Sequence, residues 1–165
     1  MAEFGSNPGK DKGRPSISRF PPREPQMKKP PDILIVEDNH ADVFLMREAL
    51  AAANLAVTVH VVNDGDEAFR FIDRADANQA APCPRLFILD FNLPKRSGLE
   101  VLEHLRQSRK CSDAVVLIAT SSDSAQDRNR VAALGADAYF RKPSCYDDYL
   151  KLGEIVRTML PSTPR

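Results

Sequence analysis

The chain has 165 residues, 42% of them hydrophobic and 28% charged, which is ordinary for a single globular domain. No apolar run approaches the roughly 20 residues that cross a bilayer, so the sequence does not predict a membrane protein. The formal net charge is zero, but residues 1–30 hold seven Lys or Arg against three acids, which leaves the remainder four units negative. We therefore do not expect the body of the protein to bind nucleic acid.

Residues 1–30 form a proline-rich basic segment with almost no apolar spacing that could join a core. We predict that this segment is a disordered extension. Its opening Met-Ala-Glu-Phe-Gly-Ser is typical of a cloning remnant, and no secretory signal precedes the body, so a cytoplasmic protein is expected. The folded domain is assigned to residues 31–160, and residues 161–165 are a short tail.

From Asp32 onward, short apolar runs alternate with amphipathic stretches, the pattern of repeated βαβ units. Runs that are apolar throughout predict strands buried on both faces of a parallel sheet. The five predicted strands are Ile33–Val36, Val57–Val62, Leu86–Leu89, Val115–Ala119 and Ala138–Phe140.

Five helices are predicted between and after these strands from apolar side chains at helical spacing. The first ends near Ala53, the second ends before Asn78, and the others cover 97–109, 124–134 and 146–160. Since βαβ crossovers are right-handed, this alternation predicts an α/β fold with helices on both faces of a five-stranded, doubly wound parallel sheet.

Polar residues directly follow four of the strands, and ligands bind beyond the carboxyl ends of the strands in such sheets. Glu37 and Asp38 follow the first strand, Asp90 the third, Thr120 the fourth and Lys142 the fifth. Three carboxylates brought together raise one another's pKa unless a cation lies among them, and hard oxygen ligands favour Mg²⁺. The sequence therefore predicts a Mg²⁺ site, which Mn²⁺ could also occupy, with Asp90 as a nucleophile toward phosphorus.

Four ordered motifs carry a resemblance that spans essentially all of the body: the run ending in Glu37-Asp38-Asn39, then Leu89-Asp90 to Pro94, then Ala119-Thr120-Ser121, then Lys142-Pro143. Together they resemble the receiver domain of two-component response regulators. The segment from Asn92 to Leu102 is most similar to the single-domain regulators paired with phytochrome and related sensor histidine kinases. The resemblance implies a flavodoxin-like sheet with strand order 2-1-3-4-5.

The resemblance also implies a role for each motif residue. Asp90 would be the phosphoacceptor, and the divalent metal would be bound by Asp90 itself together with Glu37, Asp38 and the main-chain carbonyl of Asn92. Lys142 and Thr120 would contact the phosphoryl group. Phe91 and Ser121 depart from the commonest pattern, and we expect them to tune the phosphoryl lifetime.

Two further features follow from the resemblance, a switch and a turn. Thr120 and the aromatic Tyr139 would move when the phosphoryl group arrives, although an aromatic side chain on a short edge strand can equally serve to cover the sheet. The Lys142–Pro143 peptide bond is predicted to be cis, because a sharp turn must aim the lysine inward.

The chain leaves no room for an output domain beside the body, so we expect signalling through protein contact. The expected partners are a sensor histidine kinase or phosphotransfer protein, an unknown downstream protein, and a second copy through the face of helix 4, strand 5 and helix 5. A membrane or nucleic acid is not expected as a partner. We expect no enzymatic activity beyond the protein's own phosphorylation and dephosphorylation.

Two alternatives remain open on the sequence. A receiver that never takes a phosphoryl group could act as a constitutive scaffold, although all acceptor residues are present. A phosphatase with an aspartate nucleophile is the other alternative, but Asn92 stands where such enzymes often carry their general acid.

The three cysteines, Cys83, Cys111 and Cys145, are spread along the chain without the spacing of a zinc site or a redox dithiol. We expect free thiols in a reducing cytoplasm.

Overall fold

The computed structural model describes residues 29–160, which form one parallel sheet with helices on both faces. The strands are β1 (Asp32–Val36), β2 (Thr58–Val62), β3 (Leu86–Leu89), β4 (Val115–Thr120) and β5 (Ala138–Arg141). Their order in the sheet is β2-β1-β3-β4-β5, and every neighbouring pair is parallel. The predicted fold and strand order are confirmed.

The helices agree with every predicted bound to within two residues. They are α1 (His40–Ala52), α2 (Gly65–Ala77), α3 (Gly98–Gln107), α4 (Ala125–Ala133), α5 (Tyr146–Tyr149) and α6 (Lys151–Met159). The last predicted helix is thus two consecutive segments that meet at Leu150, which keeps helical backbone angles. The two segments together occupy the place of the single helix predicted there.

The core consists of two apolar layers, one on each face of the sheet. Alternate side chains of a strand point to opposite faces, so Leu34 packs toward α2 and α3 while Ile33 packs toward α1 and α6. All residues of β1 and β3 are buried, because these strands lie inside the sheet and helices cover both faces. This packing on both faces fixes the positions of β1 and β3, whose carboxyl ends lead into the polar motif residues.

Side-chain caps fix where four helices start, and all four caps lie at the carboxyl edge of the sheet. Asn39, Asp64, Ser97 and Ser124 each accept a hydrogen bond from a backbone N–H in the first turn of α1, α2, α3 and α4. Ser97 and Glu100 form a reciprocal capping box. These caps determine the positions of the loops that carry the polar motif residues.

Two predictions are wrong. The described residues contain no cis peptide bond, so Lys142–Pro143 is trans. Another contact directs the lysine inward: the backbone N–H of Lys142 donates to the Thr120 carbonyl at 2.9 Å. This hydrogen bond continues the pairing of β5 with β4 beyond Arg141. The trans form is also the intrinsically favoured one, by about 0.5–1 kcal/mol.

The second correction concerns the cysteines. Cys83 and Cys111 are joined in a disulfide, with Cα atoms 5.7 Å apart, and only Cys145 is a free thiol. The two residues are 28 positions apart in sequence, but the loops before β3 and before β4 are adjacent at the amino edge of the sheet. Sequence spacing could not show this proximity.

The predicted extension and tail lie almost wholly outside the described residues. This applies to residues 1–28 and to 161–165. No helix within residues 29–160 is long and apolar enough to cross a membrane.

Candidate functional site

An acidic cluster lies at the carboxyl edge of the sheet, between the ends of β1 and β3. Glu37, Asp38 and Asp90 each offer a carboxylate oxygen, and the three oxygens lie within 4.8 Å of one another. Glu37 and Asp90 are buried, whereas Asp38 is exposed. The three residues meet here because the two strands are neighbours in the sheet and end at the same level.

The donor chemistry of this cluster fits a divalent cation that prefers oxygen ligands. Like charges at such short range repel, and a cation among them offsets the repulsion. Because Asp38 opens the cluster to solvent, a bound ion could retain water molecules, as Mg²⁺ usually does.

Within residues 29–160, Lys142 is the one lysine whose ammonium group contacts Glu37 and Asp90. Its Nζ lies 2.5 Å from Glu37 Oε2, 3.0 Å from Asp42 Oδ2 and 3.1 Å from Asp90 Oδ2. Only 7% of the lysine side chain is exposed. A buried lysine is tolerated where its charge is paired, and here three carboxylates share it.

The pKa values of the two most buried partners reflect this arrangement. Burial raises the pKa of Glu37, and the hydrogen bonds from Lys142 and from the Asn39 N–H offset part of that rise. Burial by itself would lower the pKa of Lys142. The hydrogen bond to Glu37 and the negative charge of Asp90 outweigh burial, so the pKa of Lys142 lies above its ordinary value and the ammonium stays charged.

Asp90 is held by the loop that follows β3. The Asn92 N–H donates to Asp90 Oδ1 at 3.1 Å, and Lys142 occupies the other oxygen. Gly98, at the start of α3, packs directly on this loop: its N–H donates to the Phe91 carbonyl at 2.9 Å, and a Cβ there would meet the Asp90 carbonyl oxygen. A glycine is needed at Gly98 because the two backbones approach so closely.

Thr120 and Tyr139 are linked through Ser122 in the loop after β4. The Thr120 Oγ1 accepts a hydrogen bond from the Ser122 N–H at 3.2 Å, and the Tyr139 hydroxyl donates to the Ser122 carbonyl at 2.8 Å. The guanidinium of Arg128 lies 4.9 Å from the centre of the Tyr139 ring. Both residues therefore contact the same short loop, and Tyr139 also packs against the core.

The structure brings four of the predicted site residues together: Glu37, Asp38, Asp90 and Lys142. Within residues 29–160, no hydrogen bond joins the Thr120 side chain to Asp90 or Lys142. The backbone of Asn92 contacts Asp90 through its N–H. A metal-binding role for the Asn92 carbonyl stays a prediction.

Sequence reasoning missed two residues at this edge. They are Asp42 and Tyr149, to which the sequence assigned no role in the site. Asp42 lies in the first turn of α1, and the buried Tyr149 directs its hydroxyl to Asp42 Oδ1 at 3.4 Å. The available signal was that Asp42 lies in the first turn of the helix that directly follows Glu37 and Asp38, and therefore begins at the same edge of the sheet.

The model of the response regulator receiver domain matches residues 33–152 of this sequence. The chain therefore belongs to the response regulator receiver family. Receivers of this family interact with histidine kinases or phosphotransfer proteins and bind a divalent metal.

Particular relatives narrow this assignment. Response regulator Rcp1 of Synechocystis sp. is 31% identical over 123 residues, which cover 74% of this chain and 84% of Rcp1. The structure of the phosphorylated cyanobacterial phytochrome response regulator RcpA matches with a TM-score of 0.73 and 29% identity, covering 82% of this chain and 97% of that one. The Mn²⁺-bound form of Rcp1 gives the same score and identity, with 82% and 98% covered. This protein is homologous to phytochrome response regulators.

Proposed function

We propose that this protein accepts a phosphoryl group on Asp90, with Mg²⁺ as the cofactor, and that phosphorylation changes which proteins it binds. One observation carries the proposal: Asp90 lies both within the acidic cluster and 3.1 Å from the ammonium of Lys142. A nucleophilic carboxylate beside two sources of positive charge is what phosphoryl transfer requires, because its transition state is stabilised mainly electrostatically.

The phosphoryl donor would be a phosphohistidine on a sensor histidine kinase or a phosphotransfer protein. A carboxylate oxygen of Asp90 attacks phosphorus, a P–O bond forms and the P–N bond breaks. The electron pair of the broken bond stays on the imidazole nitrogen, which takes up a proton. Only 8% of the Asp90 side chain is exposed, which favours a donor whose phosphorylated side chain protrudes.

Each neighbour would have a distinct task. Glu37, Asp38 and the Asn92 carbonyl would hold Mg²⁺, which when bound offsets the negative charge of the phosphoryl oxygens. Lys142 would donate to one of those oxygens. Thr120 would turn its hydroxyl toward another, and since Ser122 contacts both Thr120 and Tyr139, that movement would reach the tyrosine.

The output would be a change in the face formed by α4, β5 and the last predicted helix, which comprises α5 and α6. Tyr139 lies on β5 beneath Arg128, and Asp123 pairs with both Arg128 and Arg141 on the same side of the molecule. We propose that this face recruits a downstream protein or a second copy of the chain. Sedimentation with and without beryllofluoride would test the dimer: a monomer in both conditions would contradict it.

The names of the relatives support a phytochrome-type sensor kinase as the phosphoryl donor. We infer that this chain does not itself turn over outside substrates. A phosphatase is less well supported, since the exposed Asn92 offers no proton-donating acid two residues after Asp90. A constitutive scaffold would not need Lys142 to be buried against Asp90. The cytoplasmic location stays a prediction.

The deciding experiment is incubation of the full chain with acetyl phosphate and Mg²⁺, followed by intact mass measurement. We expect one acid-stable, base-labile phosphoryl group on the wild-type chain and none on Asp90→Asn or in EDTA. Asp113→Asn is the matched control, because Asp113 is an exposed aspartate in the loop before β4, at the opposite edge of the sheet. If the wild type takes up no phosphoryl group and does not bind the phosphoryl mimic beryllofluoride, the protein would be assigned as a constitutive scaffold. Sustained hydrolysis of a generic phosphomonoester would support the phosphatase.

A further inference from the structure

Lys142 has three carboxylate partners, and one of them, Asp42, is neither the proposed phosphoacceptor nor a proposed metal ligand. An ammonium group has three N–H donors, and here they face Glu37, Asp42 and Asp90. Glu37 and Asp90 belong to the acidic cluster, whereas Asp42 is not one of its members. Asp42 therefore stays free to hold the lysine when the other two carboxylates become engaged.

Tyr149 fixes the orientation of Asp42. The tyrosine is 2% exposed, and its ring packs edge-on against Phe140 of β5, with ring centroids 5.8 Å apart. Its hydroxyl lies 3.4 Å from Asp42 Oδ1, while the other oxygen of the same carboxylate faces Lys142. Burial and the negative charge of Asp42 raise the pKa of Tyr149, so the hydroxyl keeps its proton and can serve as the donor.

We propose that Asp42, oriented by Tyr149, is a positioning residue that holds the Lys142 ammonium in the site throughout phosphoryl transfer. This inference rests on the proposed function. In the resting site the lysine is held by three carboxylates. Once Asp90 carries a phosphoryl group and Glu37 binds a cation, two of these partners are lost or shared, and Asp42 is the anchor that remains.

The benefit is one of preorganisation. A lysine side chain loses rotamer freedom when it is fixed, and a lysine already fixed in the resting state avoids that entropy cost during the reaction. Asp42 is 21% exposed and lies on α1, outside the loops that bear the acidic cluster. It can therefore hold the lysine without competing for the cation.

A double-mutant cycle tests whether Asp42 acts through Lys142. The rate of phosphorylation by acetyl phosphate at saturating Mg²⁺ is measured for the wild type, Asp42→Asn, Lys142→Met and the double variant. We expect Asp42→Asn to slow the wild-type reaction about tenfold, and to have less than about a twofold effect when Lys142 is already replaced. Asparagine preserves the shape of the side chain, so the variant isolates the loss of charge.

Two further variants separate positioning from a general structural effect. Tyr149→Phe keeps the ring against Phe140 and removes only the hydroxyl, and we expect it to slow phosphorylation in the same direction by about threefold. Glu48→Gln removes one carboxylate from the same helix and is expected to leave the rate unchanged. Beryllofluoride affinity, measured by calorimetry, should weaken in Asp42→Asn, while Mg²⁺ affinity should stay within twofold of the wild type.

The outcomes distinguish this inference from the proposed function. If the wild type is phosphorylated but Asp42→Asn has the same effect with and without Lys142, or none, the positioning role is overturned and the proposed function stands. If the wild-type chain takes no phosphoryl group and binds no beryllofluoride, both are overturned.

Discussion

The two edges of the sheet use charged side chains in opposite ways. At the carboxyl edge, Glu37, Asp38 and Asp90 converge, and the Lys142 ammonium contacts the two buried members of the group. At the amino edge, Asp76 at the end of α2 accepts the Ser108 hydroxyl and the backbone N–H groups of residues 109 and 110. The carboxylates of the carboxyl edge can therefore still bind a cation, whereas the Asp76 carboxylate at the amino edge is engaged in hydrogen bonds within the fold.

The amino edge also ties two loops together by further contacts. The Lys110 Nζ donates to the carbonyls of Asn78, Gln79 and Ala81, and the disulfide joins Cys83 to Cys111. These contacts connect the loop before β3 with the loop before β4. The comparison teaches that these polar groups at the amino edge satisfy one another, whereas three carboxylates converge at the carboxyl edge, where their mutual repulsion favours a bound cation.

The largest expected effect is at the amino edge, from reduction of the disulfide. Opening a loop of 28 residues should lower the free energy of unfolding by about 3–4 kcal/mol by the chain-entropy model. Urea denaturation with and without a phosphine reductant measures it, with Cys145→Ser as the control that keeps the bridge. Mass spectrometry after thiol alkylation of the unreduced protein in denaturant, where burial no longer shields Cys111, should find one modified cysteine. Three modified thiols without reductant would contradict the bridge.

Replacement of Asp76 by alanine is expected to cost about 2 kcal/mol, because Ser108 and two backbone N–H groups lose their acceptor. Phosphorylation by acetyl phosphate should be unaffected. Hydrogen bonds from Ser108 and from the backbone lower the pKa of Asp76 below its ordinary 3.8.

The sign of the pH dependence follows from that lowered pKa. Asp76 stabilises the folded state fully above its ordinary pKa, and the benefit is lost as the pH falls through the lower native value. The stability difference between the wild type and Asp76→Asn should therefore shrink toward strongly acidic pH. A difference that grows as the pH falls would refute this assignment.

At the carboxyl edge, Gly98→Ala should cost about 1–2 kcal/mol and slow phosphorylation, because the new Cβ meets the Asp90 carbonyl oxygen and the Phe91 Cα. Gly135→Ala is the matched control, since Gly135 adopts a φ of 84° far from the acidic cluster. That variant should lose stability without a change in rate. Equal rates for Gly98→Ala and the wild type would mean that the loop position does not matter to Asp90.

The smallest expected effect has the opposite sign. In EDTA, Asp90→Asn should raise the free energy of unfolding by about 1 kcal/mol, because it removes one of three neighbouring carboxylates that repel one another. Saturating Mg²⁺ should stabilise the wild type more than the variant, which thermal unfolding can measure. Asp113→Asn, at the other edge, should show neither change. A less stable Asp90→Asn in EDTA would mean that the Lys142 contact outweighs the repulsion.

Much of the fold could be predicted from the sequence because its signals are local. The all-apolar run Leu86–Leu89 matches β3 residue for residue, and the serines at 97 and 124 lie where α3 and α4 are capped. The strand order, by contrast, came from the resemblance to a family. The bond before Pro143 was wrongly predicted to be cis. The lysine is instead held by a backbone hydrogen bond from Lys142 to Thr120, a contact between two strands that the local sequence does not show.

The sequence by itself determined which residue types follow each strand, and therefore that Glu37, Asp38, Asp90 and Lys142 would meet at one edge. Only the tertiary structure decided what each of them touches. Asp42 joins the lysine from 100 positions away, Tyr149 reaches Asp42 from 107, and Cys83 meets Cys111 across two loops. Periodicity and caps act over a few residues and are visible in the sequence. Contacts between distant segments depend on how the helices pack on the sheet, which no short stretch of sequence encodes.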